Sequence, residues 1–157
     1  MRDEQQAQDI RQFGENRRYL PGHKLSERIN PTTDLAEAAK DRELIIVTVP
    51  SGSFRSVCQS LKPHVSPSDM IVSGTKGIEG DGFVLMSQII AAETGALAVG
   101  AISGPNLAEE MAQGHTRARL LPATMKNFEP APNVYCIAKL LGCTPVTTVS
   151  ALSWRAR

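Results

Sequence analysis

The stretch Ile71–Glu79, read IVSGTKGIE, decides the fold that this sequence predicts. A short apolar run reaches a glycine, and Lys76 follows just before Gly77. Such a run is typical of a buried strand that ends in a loop. In an open α/β sheet, ligands bind outside the carboxyl ends of the strands. We therefore expect Lys76 to meet an anionic ligand, while a solvated loop lysine is the ordinary alternative.

Two other apolar runs end in the same way. They are Leu44–Pro50 and Val99–Ser103, the second followed by a Gly-Pro pair, and stretches with helical spacing separate the runs. This alternation predicts βαβ units with right-handed crossovers and a parallel sheet whose strands end at one shared rim. The predicted strands are 44–49, 70–74 and 97–102. The predicted helices are 35–40, 52–61, 83–93 and 105–113, and Cys58 falls on the inward face of the second helix, where packing explains it.

Composition narrows the classes of function. The chain has 157 residues, 41% of them hydrophobic, and a formal net charge of +1. It has the size of one domain, without the basic excess that favours nucleic acid and without an apolar run of about 20 residues. The cysteines and histidines show neither disulfide nor zinc spacing. We expect a reduced cytoplasmic compartment, no metal site, no nucleic-acid partner and no membrane insertion, and the oligomeric state stays open.

Five ordered segments carry a resemblance to a known family. They are NRRYLPGHKL, the Thr-Asp pair before the helix at 35, VTVPSGSFRSV, SGTKGIE and AISGPNLAEE. In this order and spacing they resemble NAD(P)-dependent glycerol-3-phosphate dehydrogenase, with its Asn-x-x-Tyr-Leu-Pro, Val-Pro-Ser, Lys-Gly-Ile/Leu-Glu and Ser-Gly-Pro-x-Phe-Ala motifs. The resemblance implies a domain over 1–114, an incomplete Rossmann-like parallel sheet flanked by helices.

The resemblance also implies a role for each matched residue. The positions that would contact the cofactor are Lys76, Ala108, Pro50 and Ser51, and those that would contact the substrate are Lys76, Gly104 and Asn106. The family usually has Ser or Thr where this chain has Asn106, and the amide keeps the capacity to hydrogen-bond. For the small residues, ordinary turn chemistry is the alternative explanation.

The implied activity is the interconversion of sn-glycerol 3-phosphate and dihydroxyacetone phosphate by hydride transfer with NADP or NAD, in glycerophospholipid synthesis. The family's first strand, its Gly-x-Gly-x-x-Gly turn and the catalytic lysine of its C-terminal helical domain have no counterpart in this sequence. No catalytic residue is therefore assigned. Two alternatives stay open: an inactive truncated remnant or weak binding module, and another Rossmann dehydrogenase acting on small hydroxy acids.

Residues 115–157 form a second predicted unit, a tail that mixes Pro, Cys and Arg without a helical or strand period. Gly142–Thr148 can be encoded so that a shifted reading frame gives Val-Tyr-Thr-Ser-Asp-Asp, which resembles a family segment at this distance. Leu120–Ala123 and Ala151–Trp154 permit further family-like segments in the same frame. We expect an irregular tail, translated out of frame and without functional residues, with a divergent loop-rich end as the alternative.

Overall fold

The computed structural model describes residues 3–80, 82–103, 108–113 and 119–124. Its helices are α1 (Glu4–Phe13), α2 (Leu35–Ala39), α3 (Phe54–Leu61), α4 (Met86–Thr94) and α5 (Ala108–Ala112). Its strands are β1 (Ile45–Val47), β2 (Met70–Ser73), β3 (Ile78–Glu79), β4 (Val84–Leu85), β5 (Ala98–Ser103) and β6 (Arg119–Thr124). Short 3₁₀ turns cover Ser51–Ser53 and Lys62–His64.

The main sheet has the strand order β1-β2-β5-β6. The first three strands pair in parallel, with Ile45, Ile71 and Val99 side by side in the register. This confirms the parallel sheet expected from the three apolar runs. α3 connects β1 to β2, and α4 follows a small hairpin between β2 and β5.

The core lies between this sheet and the two helices α3 and α4. Phe54 and Cys58 of α3 and Ile89 of α4 are fully buried, and they share one apolar cluster with Ile71 and Val99 of the sheet. Both helices therefore place their apolar stripes on the same part of the sheet.

β1 is shorter than the predicted strand 44–49 because its end is held in another way. Gly74 N–H donates to the carbonyl of Val47 at 2.9 Å, and beyond that point the backbone of Val49 hydrogen-bonds to the side chain of Thr75. A threonine hydroxyl thus takes the place of the next strand partner.

The prediction of a helix over 83–93 is wrong at its start. Val84–Leu85 pairs antiparallel with Ile78–Glu79, and Phe83 has a φ of 50°, which lies outside the helical region. The helix begins only at Met86, where the Gln88 side chain accepts a hydrogen bond of 2.8 Å from the Leu85 N–H. An Asp-Gly pair is a hairpin signal, and here it lies between the two paired segments, where the helical spacing alone predicted a helix.

The expectation of an irregular tail needs a correction over Arg119–Thr124. This segment forms β6, which runs antiparallel to β5. Pro122 lies opposite Gly100, and the register shifts between Val99 and Gly100. Proline lacks an N–H and is tolerated in strands at edges and irregular positions, so the pattern did not signal this strand. Residues 125–157 lie outside the described part of the chain.

The N-terminal segment, residues 3–34, begins with α1 and continues without further regular elements. Asp3 caps the helix by accepting from the N–H groups of Gln5 and Gln6, and Gly14 ends it with a φ of 62°. Arg11 donates to the carbonyl of Pro31 at 2.6 Å and thereby holds the end of the segment against the helix.

Candidate functional site

The loops that follow β1 and β2 meet at the carboxyl end of the sheet. We call them the β1–β2 rim and define it as residues 48–53 and 74–79. The rim contains three of the residues that the sequence assigned to ligand contacts, Pro50, Ser51 and Lys76, and the side chains of all three are exposed. The structure therefore brings these three predicted residues to one edge.

Thr75 joins the two loops of the rim. Its hydroxyl donates to the carbonyl of Val49 at 2.6 Å and accepts from the Val49 N–H at 3.1 Å. Ser73 is buried, with 1% of its surface exposed, and its hydroxyl donates to the carbonyl of Thr75 at 3.0 Å. These bonds fix the backbone on one side of Lys76.

Glycine is required at positions 74 and 77, on either side of Thr75 and Lys76, for two different physical reasons. At Gly74, an added Cβ would lie 2.5 Å from the methyl group of Thr48, so only glycine fits without a shift. Gly77 has a φ of 128°, which other residues rarely adopt, and its added Cβ would lie 3.6 Å from that of Ser51. The turn that carries Lys76 thus lies close against the loop after β1.

A network around Arg55 of α3 holds the other side of Lys76. Arg55 Nε donates to both carboxylate oxygens of Glu79, at 3.0 and 2.9 Å, and Nη1 donates to Glu93 of α4. Gln59 donates to the second oxygen of Glu93 at 3.2 Å. Bidentate pairing with Arg55 lowers the pKa of Glu79, and the two carboxylates raise the pKa of Arg55.

Sequence reasoning missed Thr75 and the Arg55 network. The stretch 75–79 was interpreted through Lys76 alone, and no local rule pairs Arg55 with a residue 24 positions further along the chain. The signal that could have found the network is a pair of opposite charges. Arg55 lies on the first turn of the predicted helix 52–61, and Glu79 follows the loop that carries Lys76.

Cys58 is a packing residue, as predicted. Its side chain is fully buried in the apolar cluster. Burial, assisted by the nearby Glu93, raises the pKa of its thiol to about 11. A thiol that stays protonated at neutral pH is a poor nucleophile, so this cysteine contributes no chemistry to the rim.

The remaining predicted positions are divided between described and undescribed parts. Ala108 is the first residue of α5 and is exposed. Gly104 and Asn106 lie outside the described residues. Among the residues that the structure describes, no three His, Cys, Asp or Glu side chains are placed to hold a metal ion.

The chain has a Rossmann-like α/β domain. Its three parallel strands alternate with helices along the chain, and the rim lies at the carboxyl edge of the sheet. The family model described as NAD-dependent glycerol-3-phosphate dehydrogenase N-terminus matches residues 1–128. The chain belongs to this family. The match extends beyond Gly114, the last residue of the predicted domain.

Curated relatives carry the same name. The chain is 43% identical over 113 residues to the glycerol-3-phosphate dehydrogenase [NAD(P)+] of Teredinibacter turnerae, covering 72% of this chain and 33% of the relative. It is 47% identical over 115 residues to the enzyme of that name from Pseudomonas syringae pv. tomato, again covering 72% of this chain and 33% of the relative. The chain thus spans about a third of the length of these relatives.

The solved structure of the glycerol-3-phosphate dehydrogenase from Saccharomyces cerevisiae has a similar fold. It superposes with a TM-score of 0.78 at 27% identity, covering 89% of this chain and 42% of that chain. Among the described residues, no helix has both the length and the apolar character needed to cross a membrane.

Proposed function

We propose that this chain carries the substrate-facing half of the dinucleotide-binding domain of a glycerol-3-phosphate dehydrogenase. The observation that carries the proposal is the β1–β2 rim, where Lys76 lies exposed at the carboxyl edge of a parallel sheet with Pro50 and Ser51 beside it. The lineage reaction is the interconversion of sn-glycerol 3-phosphate and dihydroxyacetone phosphate. The names of the relatives support it over a dehydrogenase of small hydroxy acids.

The rim fits a phosphate-bearing ligand in its charge and in its backbone. Lys76 supplies a cation that binds phosphate oxygens as a point charge. Gly77, the residue after Lys76, has a positive φ and no side chain, so a ligand can approach the backbone there closely. NADP or NAD, when bound, supplies the hydride. The chain's own residues position it: Pro50, Ser51 and Ala108 would line the cofactor, while Gly104 and Asn106 would contact the substrate.

We further propose that this chain alone binds weakly and does not turn over. The 157 residues contain no Gly-x-Gly-x-x-Gly motif, and none of them matches the family's catalytic lysine. Loss of a general base alone lowers the rate by about 10² to 10⁴. Without that glycine-rich turn the pyrophosphate loses its main contacts, so we expect a Kd for NADPH of about 1 mM.

Isothermal titration with NADPH, together with an assay of NADPH oxidation, tests both parts. We expect weak binding that becomes about tenfold weaker in Lys76→Ala, because a charge-assisted contact is lost. Lys62→Ala is the matched control, since Lys62 follows the end of α3 that lies away from the rim. Binding that Lys76→Ala leaves unchanged would contradict the assignment of the rim. Oxidation that depends on dihydroxyacetone phosphate would contradict the loss of turnover.

We also propose that the reading frame slips near Gly114 or His115. The curated relatives align over only 113 to 115 residues, which supports a change of character in the last part of the chain. The family match to residue 128 and the pairing of β6 with β5 are the two observations that count against a slip at this position. The coding DNA tests this: the other frame must read through Val-Tyr-Thr-Ser-Asp-Asp to a Glu-Leu segment, and a different reading ends the proposal.

A further inference from the structure

Lys76 lies in a turn that is attached to the rest of the domain on both sides. On the N-terminal side, the Thr75 hydroxyl binds both backbone groups of Val49. On the C-terminal side, the Glu79 carboxylate accepts hydrogen bonds from both Nε and Nη2 of Arg55. Only Lys76, Gly77 and Ile78 lie between these attachments. The turn therefore has little freedom as long as both hold.

The second attachment differs from the first because it reaches across three elements. Arg55 belongs to α3, Glu79 ends β3, and Glu93 lies on α4. Gln59, one turn after Arg55, binds the remaining oxygen of Glu93. The side chains of Arg55, Glu79 and Glu93 are 36%, 33% and 20% exposed, so water screens their attraction only in part.

The two carboxylates bind Arg55 with different geometry and therefore have different effects. Arg55 donates to the Glu79 carboxylate from both Nε and Nη2, and this fork of two N–H groups fixes both distance and orientation. Glu93 takes one guanidinium nitrogen and is itself held by Gln59, so it fixes the direction in which the Arg55 side chain points. Glu79 is the member of the network that lies next to the ligand-bearing turn.

We propose that Arg55 is a positioning residue: its bidentate pair with Glu79 holds the turn of Lys76 in the orientation that meets the ligand. This rests on the function proposed above for Lys76. Arg55 does not touch the ligand in this account, since its guanidinium is occupied by the two carboxylates. Glu93 and Gln59 support it from α4 and α3.

Hydrogen exchange of the full chain, followed by mass spectrometry, measures the turn directly. We expect Arg55→Ala and Glu79→Gln each to speed exchange of the amides of residues 76–79 by about tenfold or more, because local opening no longer breaks a charge-assisted pair. Exchange of the β2 and β5 amides is expected to stay within about twofold. Arg55→Lys is expected to fall between, because an ammonium cannot form the fork.

The control variant is Arg11→Ala, which removes an arginine–carboxylate pair from the N-terminal segment. We expect it to leave the amides of residues 76–79 unchanged. Reversing the pair, in Arg55→Glu with Glu79→Arg, is expected to recover part of the protection. If Arg55→Ala does not fold, Glu79→Gln and Arg55→Lys decide the matter, because both keep the hydrogen-bonding groups near their places.

Ligand affinity separates this proposal from the proposed function. In the same variants we expect the affinity for NADPH to fall about tenfold, as in Lys76→Ala. Faster exchange over 76–79 together with unchanged NADPH affinity would overturn the positioning role. Unchanged exchange in Arg55→Ala and Glu79→Gln would also overturn it. If the unaltered chain binds no NADPH while the exchange changes as expected, the proposed function and the positioning role in binding both fail. The attachment of the turn through Arg55 and Glu79 then still stands.

Discussion

The β1–β2 rim and the N-terminal segment are both held by arginine–carboxylate pairs, yet the pairs are placed differently. In the N-terminal segment, Arg11 pairs with Glu4 and Arg18 with Asp3, and these side chains are 44% to 61% exposed. At the rim, Arg55 joins Glu79 and Glu93 at exposures of 36% or less. The rim pairs also connect elements far apart in the chain, whereas the others stay within one segment.

This difference indicates where the chain is rigid enough to present a ligand site. Exposed ion pairs contribute about 0 to 1 kcal/mol because water and salt screen them. A pair that ties a helix to a loop, beside a packed core, also restricts how that loop opens. The rim therefore has the order that binding requires, and the N-terminal segment serves as an internal control for it.

The largest expected difference between the two regions comes from their aromatic residues. Phe54 begins α3 beside the rim and is fully buried, so Phe54→Ala is expected to lower the free energy of unfolding by about 3 to 5 kcal/mol. Phe13 ends α1 and stacks under the Arg17 guanidinium at 3.7 Å, a contact worth about 1 kcal/mol. Urea unfolding of Phe54→Ala and Phe13→Ala measures the two losses of unfolding free energy, and equal losses would remove the distinction between the regions.

A smaller effect is expected at the contact between the two rim loops. Gly74→Ala places a Cβ 2.5 Å from the Thr48 methyl group, and such overpacking costs about 1 to 3 kcal/mol. Thr48→Ser removes that methyl group and is expected to restore most of the loss. Gly52→Ala is the control, because an added Cβ there meets nothing within 4 Å. Failure of Thr48→Ser to rescue would place the strain elsewhere.

Alkaline pH tests the packing of α3. The thiol of Cys58 has its pKa raised to about 11, so its contribution to stability is fully present below the unfolded pKa of about 9 and is lost as pH rises toward 11. Cys58→Ala is expected to lose less stability than the unaltered chain between pH 9 and pH 11.

Alkylation followed by peptide mass spectrometry is expected to find Cys58 unmodified at pH 8 until the chain unfolds. Rapid modification of the folded chain would show that α3 is loosely packed.

The smallest expected effect is that of an exposed pair in the N-terminal segment. Arg18→Ala removes the pair with Asp3, whose side chains are 61% and 45% exposed. We expect a change within about 0.5 kcal/mol in the free energy of unfolding, measured in urea at low salt. A loss as large as that of Gly74→Ala would show that the two regions are held with equal strength.

The sequence predicted the parts of this fold that depend on local pattern. Apolar runs ending at Pro50, Gly74 and Gly104 gave the three parallel strands, because buried strands have a distinctive composition. The same reasoning failed at the hairpin of β3 and β4, where two-residue strands are too short to show a period, and at β6, which contains a proline. It also missed Thr75 and the pairing of Arg55 with Glu79, because bonds between distant segments depend on the finished fold.

The most direct test of the central claim maps the binding of NADPH onto the backbone. In amide NMR spectra of the isotope-labelled full chain, we expect NADPH to shift the signals of residues 49 and 51, of residues 74–77 and of Ala108. Lys76→Ala is expected to reduce these shifts at the same NADPH concentration. Shifts confined to the opposite end of the sheet, such as residues 40–43 and 64–69, or no shifts at saturating NADPH, would contradict the assignment of the rim as the cofactor- and substrate-facing edge.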